Sequence, residues 1–278
     1  MRFYFAEADR EDARVVVLGV PLDRTVSHVP GTRFGPDMAR MGADNIESFS
    51  PYQRRDVADV AVHDAGNLAL SFERPERPYE QVAVAVRPFV GSETRLLVVG
   101  GEHSITPAIV REYAAAYPDL HVVQLDAHSD LRQEYLGDPR SHATAVRRIL
   151  DDVPRERVFQ LGIRSFSTPG ELDEINLYPF ELLEPARRVA LEILRDRPVY
   201  LTLDVDVLDP SVLPDVGTPQ PGGVSYRELA LTLALLAESG CRVVGADIVE
   251  FCPRGAQPSP GASVVGELVR ELVLLLAQ

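Results

Sequence analysis

Short apolar runs alternate with longer amphipathic stretches along the whole chain. The apolar runs predict strands at residues 14–20, 59–64, 95–100, 120–126, 157–162, 198–204 and 242–248. The amphipathic stretches predict helices at residues 35–46, 78–90, 104–117, 142–151, 185–196, 225–239 and 261–276. Strands that alternate with helices in this way are typical of a parallel sheet covered by helices. Because no long hydrophilic linker interrupts the alternation, we predict one domain over residues 1–278.

One apolar run carries two carboxylates where a buried strand should be uncharged. Asp204 and Asp206 lie within the segment Val199–Leu208, which is otherwise apolar apart from one threonine and one tyrosine. Side chains two residues apart on a strand point to the same side, so both carboxylates should face one spot. Two like charges in an apolar setting are costly unless a cation lies between them. The pattern therefore indicates a metal site.

Other predicted strands end in similar side chains. A second apolar run ends in Asp126, His128 and Asp130, again spaced two residues apart. His103 and Glu250 come shortly after two further predicted strands. Since the carboxyl ends of parallel strands lie at one edge of the sheet, where ligands bind, we expect all these side chains to converge there.

The charge of the candidate ligands favours two cations over one. The candidates are His103, Asp126, His128, Asp130, Asp204 and Asp206. Four carboxylates carry a charge that two divalent cations would neutralise. Carboxylates and imidazoles without a thiolate suit Mn, Mg, Fe or Co better than a structural zinc. Two such metals that share a water make hydroxide available near neutral pH, which predicts a hydrolase.

Composition narrows the classes of partner. The chain has 42 acidic and 28 basic residues, a net charge of −14. This charge argues against nucleic acid or an anionic membrane surface and favours a cationic substrate. Cys241 and Cys252 are the only cysteines, so neither a disulfide framework nor a cysteine zinc site is expected. With no signal-like segment and no apolar stretch that could span a membrane, we expect a cytoplasmic protein.

Several motifs resemble those of one enzyme family. The segments Gly100–Ile105, Leu125–Asp130 and Leu203–Pro210 resemble the three signature segments of the ureohydrolases, the family of arginases and agmatinases. Nearly the whole chain shares in this resemblance, which also includes Gly19–Asp23, Pro30–Pro36 and Asp247–Glu250. It implies a three-layer α/β/α fold with a mostly parallel sheet (the arginase-like fold), two Mn²⁺ ions and hydrolysis of a guanidino group to urea and an amine. It also implies a homo-oligomer, commonly a trimer or hexamer.

The resemblance also implies roles for single residues. All six candidate ligands would surround the two metals, and Asp130 would in addition accept the proton of the bridging water. Glu250 would pair with the substrate guanidinium, and His142 would pass a proton to the leaving amine. A structural role remains open for His142, as the first residue of a helix capped by Ser141. Asp23 and Arg33 are expected to pair and brace the N-terminal loop.

The substrate is less sharply indicated than the reaction. Arg132 stands where arginases have an asparagine, which argues against arginine. Residues 130–142 and 217–223 look more like agmatinases, so we predict hydrolysis of agmatine to putrescine, a step of polyamine biosynthesis. The segment Phe251–Gly255 departs from the agmatinase pattern. Aminopropylagmatine and 4-guanidinobutyrate therefore stay open, and Arg132 or Arg254 would suit a carboxylate tail if either faces the pocket.

Three further alternatives remain. Formiminoglutamate is the closest runner-up by chemistry but would need a pocket for an anionic tail. A non-catalytic metal-binding homologue would have no need of uncompensated buried carboxylates. Single-zinc deacetylases of the same fold are disfavoured because His103 and Asp130 complete a second metal position. At the edge of the site, His28 could reach the pocket, and Cys252 could line it, although a packing role is favoured for the cysteine.

Overall fold

Eight parallel strands form the central sheet of the protein. The computed structural model describes residues 1–278. The strands, in chain order, are β1 (Val15–Val20), β2 (Phe49–Ser50), β3 (Arg55–Asp56), β4 (Val62–Asn67), β5 (Arg95–Gly100), β6 (His121–Leu125), β7 (Val158–Ile163), β8 (Leu177–Pro179), β9 (Pro198–Asp204) and β10 (Arg242–Val249). The order in the sheet is β4-β1-β5-β10-β9-β6-β7-β8, while β2 and β3 form a separate antiparallel hairpin.

Seven α-helices cover the two faces of the sheet. They are α1 (Gly35–Ala43), α2 (Arg77–Val86), α3 (Thr106–Ala116), α4 (Ala145–Ile149), α5 (Leu183–Glu192), α6 (Tyr226–Glu238) and α7 (Pro260–Leu276). None of them combines the length and the apolar content needed to cross a membrane.

The alternation of side chains along the strands builds two apolar cores. In β1, Val15 and Val17 belong to a core of 46 buried residues that includes residues of α1, α5, α6 and α7. Val16, Leu18 and Val20 point the other way, into a core of 24 buried residues shared with α2, α3 and α4. A strand buried on both faces reads as one continuous apolar run, because each face meets a layer of helices. The three-layer α/β/α arrangement with a parallel sheet is therefore confirmed.

Two glycines let α1 and α7 approach closely. A Cβ on Gly42 would overlap the carbonyl of Ala262, and a Cβ on Gly266 would lie 2.7 Å from the backbone nitrogen of Ala43. The contact is between backbones on both sides, so no flexible side chain could move away. The small residues thus fix the crossing of the two helices.

Most predicted elements lie where the sequence indicates, with a few shifts. β4 begins at Val62 instead of residue 59 because residues 57–59 form a 3₁₀ turn, capped by the Asp56 side chain. Helix α2 ends at Val86 because Pro88 follows in a 3₁₀ turn. Strand β8 was not predicted. It has three residues, ends in a proline and lies at the edge of the sheet, where a missing backbone N–H is tolerated. The single domain over residues 1–278 stays a prediction.

Candidate metal centre and active site

The predicted ligands converge because their strands are neighbours. β5, β10, β9 and β6 are adjacent in the sheet and all run in the same direction. His103 follows β5, Glu250 follows β10, and Asp204 is the last residue of β9. The segment Asp126–Asp130 follows β6. One edge of the sheet therefore collects all the predicted side chains, as expected for a parallel sheet.

One group of candidate ligands surrounds His103. Its Nδ1 lies 3.1 Å from Asp126 Oδ2, 3.1 Å from Asp130 Oδ2 and 3.4 Å from Asp204 Oδ2. All four residues are buried. The ligand atoms of His103, Asp126 and Asp130 lie within 4.8 Å of one another, close enough to hold one ion.

A second group lies beside the first and shares one residue with it. Asp126, His128 and Asp206 also have ligand atoms within 4.8 Å of one another. His128 Nδ1 lies 2.8 Å from Asp206 Oδ2 and 3.6 Å from Asp126 Oδ1. Because Asp126 belongs to both groups, the geometry offers two adjacent positions joined by a carboxylate.

The donor atoms fit two divalent cations. His103 Nδ1 and Asp206 Oδ2 are buried and make no hydrogen bond. Buried polar atoms almost always have a partner, so orphaned atoms beside a group of carboxylates point to a missing cation. Oxygen and imidazole donors without sulfur match Mn²⁺ and similar ions. The six residues are thus suited to a binuclear centre.

A hydrogen-bond chain behind His103 leaves its Nδ1 free for a metal. Its Nε2 lies 2.9 Å from Thr202 Oγ1, which in turn donates to Asp247 Oδ1 at 2.6 Å. Because the hydroxyl proton goes to the carboxylate, Thr202 can only accept from the ring, so Nε2 carries the proton. Metal-binding histidines are commonly fixed in this way by a second layer of partners.

The buried carboxylates of this cluster repel one another. Burial raises the pKa of Asp204 well above its ordinary value, and the Asp206 and Asp126 carboxylates raise it further. Burial lowers the pKa of His103, but the carboxylates of Asp126, Asp130 and Asp204 outweigh it and hold that pKa well above its ordinary value. Without a cation, protons have to compensate the negative charge.

The ligands do not align by strand alternation, so that part of the prediction is wrong. Asp206 lies in a 3₁₀ turn, Val205–Val207, where its N–H donates to Asp204 Oδ1 at 2.9 Å. In the same way, β6 ends before Asp126, whose Oδ1 accepts from the N–H of His128 at 2.6 Å. Each carboxylate thus uses one oxygen to close a turn, and the turn directs the next side chain to the centre.

A cavity of about 190 Å³ opens above the candidate ligands. Asp126 and Asp206 are not among the residues that line it. The residues that line it are Ser27, His103, His128, Ser129, Asp130, Arg132, Tyr135, His142, Ala143, Ser165, Phe166, Ser167, Asp204, Thr218, Gln220 and Glu250. All three residues predicted to meet the substrate, Arg132, His142 and Glu250, are therefore brought to one cavity with the candidate ligands.

Glu250 lies in the inner part of the cavity next to His103. It is buried, and its Oε1 accepts from the backbone N–H of His103 at 2.6 Å. Burial raises the pKa of this carboxyl to about 8. The backbone of Glu250 has a φ of 65°, a left-handed conformation that is uncommon outside glycine. A buried carboxylate fixed in this way is suited to a planar cation.

His142 begins a short helical turn and also lines the cavity. It begins a 3₁₀ turn in which Ser141 Oγ accepts from Ala143 N–H, so the capping role expected of Ser141 is confirmed. The His142 ring nevertheless lines the cavity, with Nε2 3.4 Å from Ser27 Oγ.

Arg132 lies at the exposed mouth of the cavity. Its guanidinium lies 5.1 Å from the centre of the Tyr135 ring and forms no ion pair within the chain. Arg254, the other arginine considered for a carboxylate tail, does not line the cavity and donates to the carbonyl of Pro214 at 2.9 Å. The condition set for Arg254, that it faces the pocket, is therefore not met.

Of the remaining predictions around the site, some are confirmed and one is not. Asp23 and Arg33 pair at 3.1 Å, as expected. His28 does not line the cavity, and its neighbour Ser27 does instead. Cys252 is buried with its Sγ 3.6 Å from the carbonyl of Val29, which confirms the packing role.

Several lining residues carried little signal in the sequence. Ser165, Phe166 and Ser167 come from the loop that follows β7, and Thr218 and Gln220 lie in the segment 217–223. These side chains come from loops between elements, where no periodicity indicates their direction.

Known proteins resemble the chain along almost its whole length. The family described as the arginase family matches residues 13–275. An agmatinase of Bacillus cereus is 39% identical over 269 residues, which cover 95% of this chain and 92% of the relative. An N(1)-aminopropylagmatine ureohydrolase of Thermus thermophilus is 34% identical over 265 residues, covering 92% of this chain and 89% of the relative.

A solved structure shows that the fold is shared as well as the sequence. The agmatine ureohydrolase of Thermoplasma volcanium superimposes with a TM-score of 0.86 at 29% identity, covering 99% of this chain and 93% of that one. The arginase-like fold and the predicted resemblance are thereby confirmed. This chain, with its paired ligand groups and its cavity at the ends of neighbouring strands, belongs to the arginase family and is a ureohydrolase.

Proposed function

We propose that this ureohydrolase cleaves the guanidino group of agmatine to give urea and putrescine. The observation that carries the proposal is the pair of ligand groups joined by Asp126 beneath a cavity that Glu250 and His142 line. The agmatinase relative at 39% identity supports agmatine as the substrate. The net charge of −14 favours the approach of a doubly cationic molecule.

The centre would hold two Mn²⁺ ions. His103, Asp126, Asp130 and Asp204 would hold one, and His128 and Asp206 would complete the other with Asp126. When bound, such a pair supplies Lewis-acid activation of a water at neutral pH. Asp130, which lies at the cavity surface, accepts the proton that the attacking water loses.

Glu250 holds the substrate guanidinium. Its Oε1 is fixed by the His103 amide, so the carboxylate does not need to be ordered when the substrate binds. Burial raises its pKa to about 8, and an adjacent guanidinium restores the ionised form. The planar fork of the guanidinium matches a carboxylate in both charge and shape.

His142 supplies a proton to the leaving amine. Its ring lines the cavity, and its Nε2 lies 3.4 Å from Ser27 Oγ, another residue of the cavity wall. As the C–N bond breaks, the electron pair moves to the nitrogen, which takes the proton from the ring. Location in the cytoplasm and assembly into a trimer or hexamer belong to the same proposal and stay predictions.

A second candidate substrate is 4-guanidinobutyrate. The observation in its favour is Arg132, an exposed guanidinium at the cavity mouth without an ion pair. A carboxylate tail would complete such a pair, whereas the amine of agmatine would be repelled. Aminopropylagmatine is supported by the name of the Thermus thermophilus relative.

Urea release with added Mn²⁺ from agmatine, arginine, 4-guanidinobutyrate and aminopropylagmatine tests the proposal. We expect the highest kcat/KM for agmatine. Absence of urea from all four substrates contradicts the reaction itself. Arg132→Gln separates the candidates: if Arg132 binds a tail carboxylate, kcat/KM for 4-guanidinobutyrate falls about tenfold or more while agmatine is unaffected or improved. Arg254→Gln, which removes an arginine that does not line the cavity, is the matched control.

A further inference from the structure

A buried carboxylate outside the cavity is connected to His142. Glu102 is fully buried and does not line the cavity. Its Oε2 accepts from the backbone N–H groups of Arg24 and Thr25, both at 2.7 Å. Its Oε1 accepts from Thr25 Oγ1 at 2.9 Å and from Ser104 Oγ at 2.5 Å. The hydroxyl proton of Thr25 therefore points to Glu102.

The hydroxyl of Thr25 then determines which ring nitrogen of His142 is protonated. A hydroxyl has one proton and two lone pairs. The proton goes to Glu102, and one lone pair accepts from the backbone N–H of His142 at 3.0 Å. The ring Nδ1 of His142 lies 3.2 Å from the same oxygen, so Thr25 can only accept from it. Ser141 Oγ, 3.3 Å from Nδ1, can accept from that same proton.

The same construction recurs at the other end of the site. His103 Nε2 meets Thr202, whose hydroxyl donates to the Asp247 carboxylate. In both cases a carboxylate orients a threonine hydroxyl, and the hydroxyl accepts from one ring nitrogen and leaves the other nitrogen free. The two carboxylates come from different segments of the chain, so each chain of contacts stands independently.

The segment that carries Thr25 is held tightly against the strand that leads to Glu102. Gly101 N–H donates to the Val20 carbonyl at 3.0 Å, and Glu102 N–H donates to the Leu22 carbonyl at 2.9 Å. A Cβ on Gly101 would overlap the Leu22 backbone, so only glycine permits this approach. Backbone contacts thus keep the hydroxyl of Thr25 in position.

We propose that Thr25 and Glu102 are positioning residues that hold His142 with its proton on Nδ1, so that Nε2 exchanges protons with the substrate. The role in turnover rests on the proposed function, while the protonated nitrogen is a property of the free protein. When the imidazolium gives its Nε2 proton to the leaving amine, it becomes neutral and keeps the proton on Nδ1. The Thr25 hydroxyl donates to Glu102 before and after this transfer, so no proton passes through the threonine.

Paired substitutions at Thr25 test the proposal. Thr25→Val keeps the side-chain shape and removes the hydroxyl, while Thr25→Ser keeps the hydroxyl. We expect Thr25→Val to lower kcat about 10- to 100-fold with little change in KM or Mn content, and Thr25→Ser to recover most of kcat. Thr232→Val makes the same chemical change in α6, where the hydroxyl donates to the carbonyl of Glu228 in the same helix. This variant controls for general destabilisation.

Nitrogen-15 NMR of the histidine rings gives a readout that does not require turnover. The chain has six histidines, and the His142 signals are those absent from His142→Ala. At a pH where the ring is neutral, we expect the proton on Nδ1 in the wild type and in Thr25→Ser, and a mixture of both tautomers in Thr25→Val.

Either of two results overturns the proposal: a wild-type His142 with its proton on Nε2, or equal kcat in Thr25→Val and Thr25→Ser. Loss of Mn from Thr25→Val also counts against it, because the residue would then act on the metal centre. If the wild type releases no urea, the proposed function fails, and the NMR result still decides the positioning role.

Discussion

Asp126 is the residue on which both candidate metal positions depend. It is fully buried, and its two oxygens accept hydrogen bonds from the Gln124 side chain and the His128 backbone, both at 2.6 Å. These bonds fix the orientation of the carboxylate between the two ligand groups. A carboxylate held in this way would be available to both ligand groups without side-chain reordering.

Metal analysis of two isosteric variants tests this role. Asp126→Asn removes a charge from both groups, whereas Asp206→Asn removes a charge from one group. We expect Asp126→Asn to lose both cations and Asp206→Asn to retain about one per chain after dialysis, since metal affinity depends on ionised ligands. The measurement is Mn content against protein concentration. Equal metal content in the two variants would show that Asp126 is not shared.

A variant at His142 distinguishes a role in proton transfer from a role in metal binding. The ring lines the cavity but belongs to neither ligand group. We therefore expect His142→Ala to lower kcat about 100-fold or more, in the range of a lost general acid, and to leave Mn content unchanged. Steady-state urea assays and metal analysis of the same sample measure both quantities. Loss of metal would show that the proposed role is wrong.

Two of the functional residues have a backbone conformation that the sequence does not reveal. Asp130 and Glu250 have φ values of 53° and 65°. For residues other than glycine this region costs on the order of 1–3 kcal/mol, and such residues cluster at functional sites. The identity of both residues was predictable from their place after apolar strands. Their conformation was not, because it depends on how distant loops close over the strand ends.

At the level of elements, one buried ion pair holds helix α1 to the edge of the sheet. Arg40 is 1% exposed, and its Nε and Nη2 donate to the two oxygens of Asp64 at 2.8 and 2.9 Å. Asp64 lies on β4 and also accepts from the backbone N–H groups of Phe3 and Gly66. The pair therefore joins α1, β4 and the N-terminal segment at one point.

Removing one partner should be costly because the other stays buried. We expect Asp64→Asn to lower the free energy of unfolding by about 3–5 kcal/mol at pH 7, measured by urea denaturation. Asp37→Asn is the matched control. Asp37 contacts the same arginine at 3.2 Å but is exposed, so its loss should cost less than about 1 kcal/mol. Similar losses in both variants would contradict the buried pair as the main contribution.

The pH dependence of the same pair has a defined sign. Burial raises the pKa of Asp64, but Arg40 and the two backbone amides outweigh it, so the pKa lies below its ordinary value. A carboxylate with a lowered pKa stabilises the fold above the pKa of the unfolded chain and loses this effect as the pH falls through its folded pKa. The difference between wild type and Asp64→Asn should thus shrink in acid.

Elements with a strong periodic signal were predictable, and those made by local turns were not. β9 has the predicted bounds, 198–204, because its apolar run is continuous and Pro198 begins it. β8 is too short, at three residues, to stand out. The candidate ligands were predictable as a set because neighbouring strands end at one edge. The orientation of Asp206 was not, because a 3₁₀ turn and a side-chain hydrogen bond replace the strand alternation there.

At the level of the whole molecule, the buried carboxylates of the candidate metal centre lower stability unless a cation compensates their charge. The chain already carries a net charge of −14, and the centre adds buried carboxylates at close range. Burial and the neighbouring Asp206 and Asp126 raise the pKa of Asp204 well above its ordinary value. In the metal-free protein, a carboxyl with a raised pKa lowers stability as the pH rises from its unfolded pKa through its folded pKa.

Asp204→Asn should therefore have a higher Tm than the wild type without metal and a lower Tm than the wild type with Mn²⁺. In a chelator at pH 7 to 8, we expect the variant to melt above the wild type, because its neutral amide avoids the cost of the ionised carboxyl while keeping the acceptor for the Asp206 N–H. With Mn²⁺ at about 100 times the Kd, two filled sites would stabilise the wild type by about 5 kcal/mol. For a chain of this size that corresponds to roughly 10–20 °C in Tm.

The decisive measurement is the Mn²⁺-induced shift in Tm of the two proteins, each scanned with chelator and with Mn²⁺. The wild type should gain the full expected shift and Asp204→Asn about half of it, because the variant lacks an oxygen that lies 3.4 Å from His103 Nδ1, while the group of Asp126, His128 and Asp206 is intact. Equal shifts would mean that Mn²⁺ acts elsewhere on the acidic surface. A variant that melts below the wild type in chelator would mean that the Asp204 carboxyl stabilises the metal-free fold, against the direction of its raised pKa.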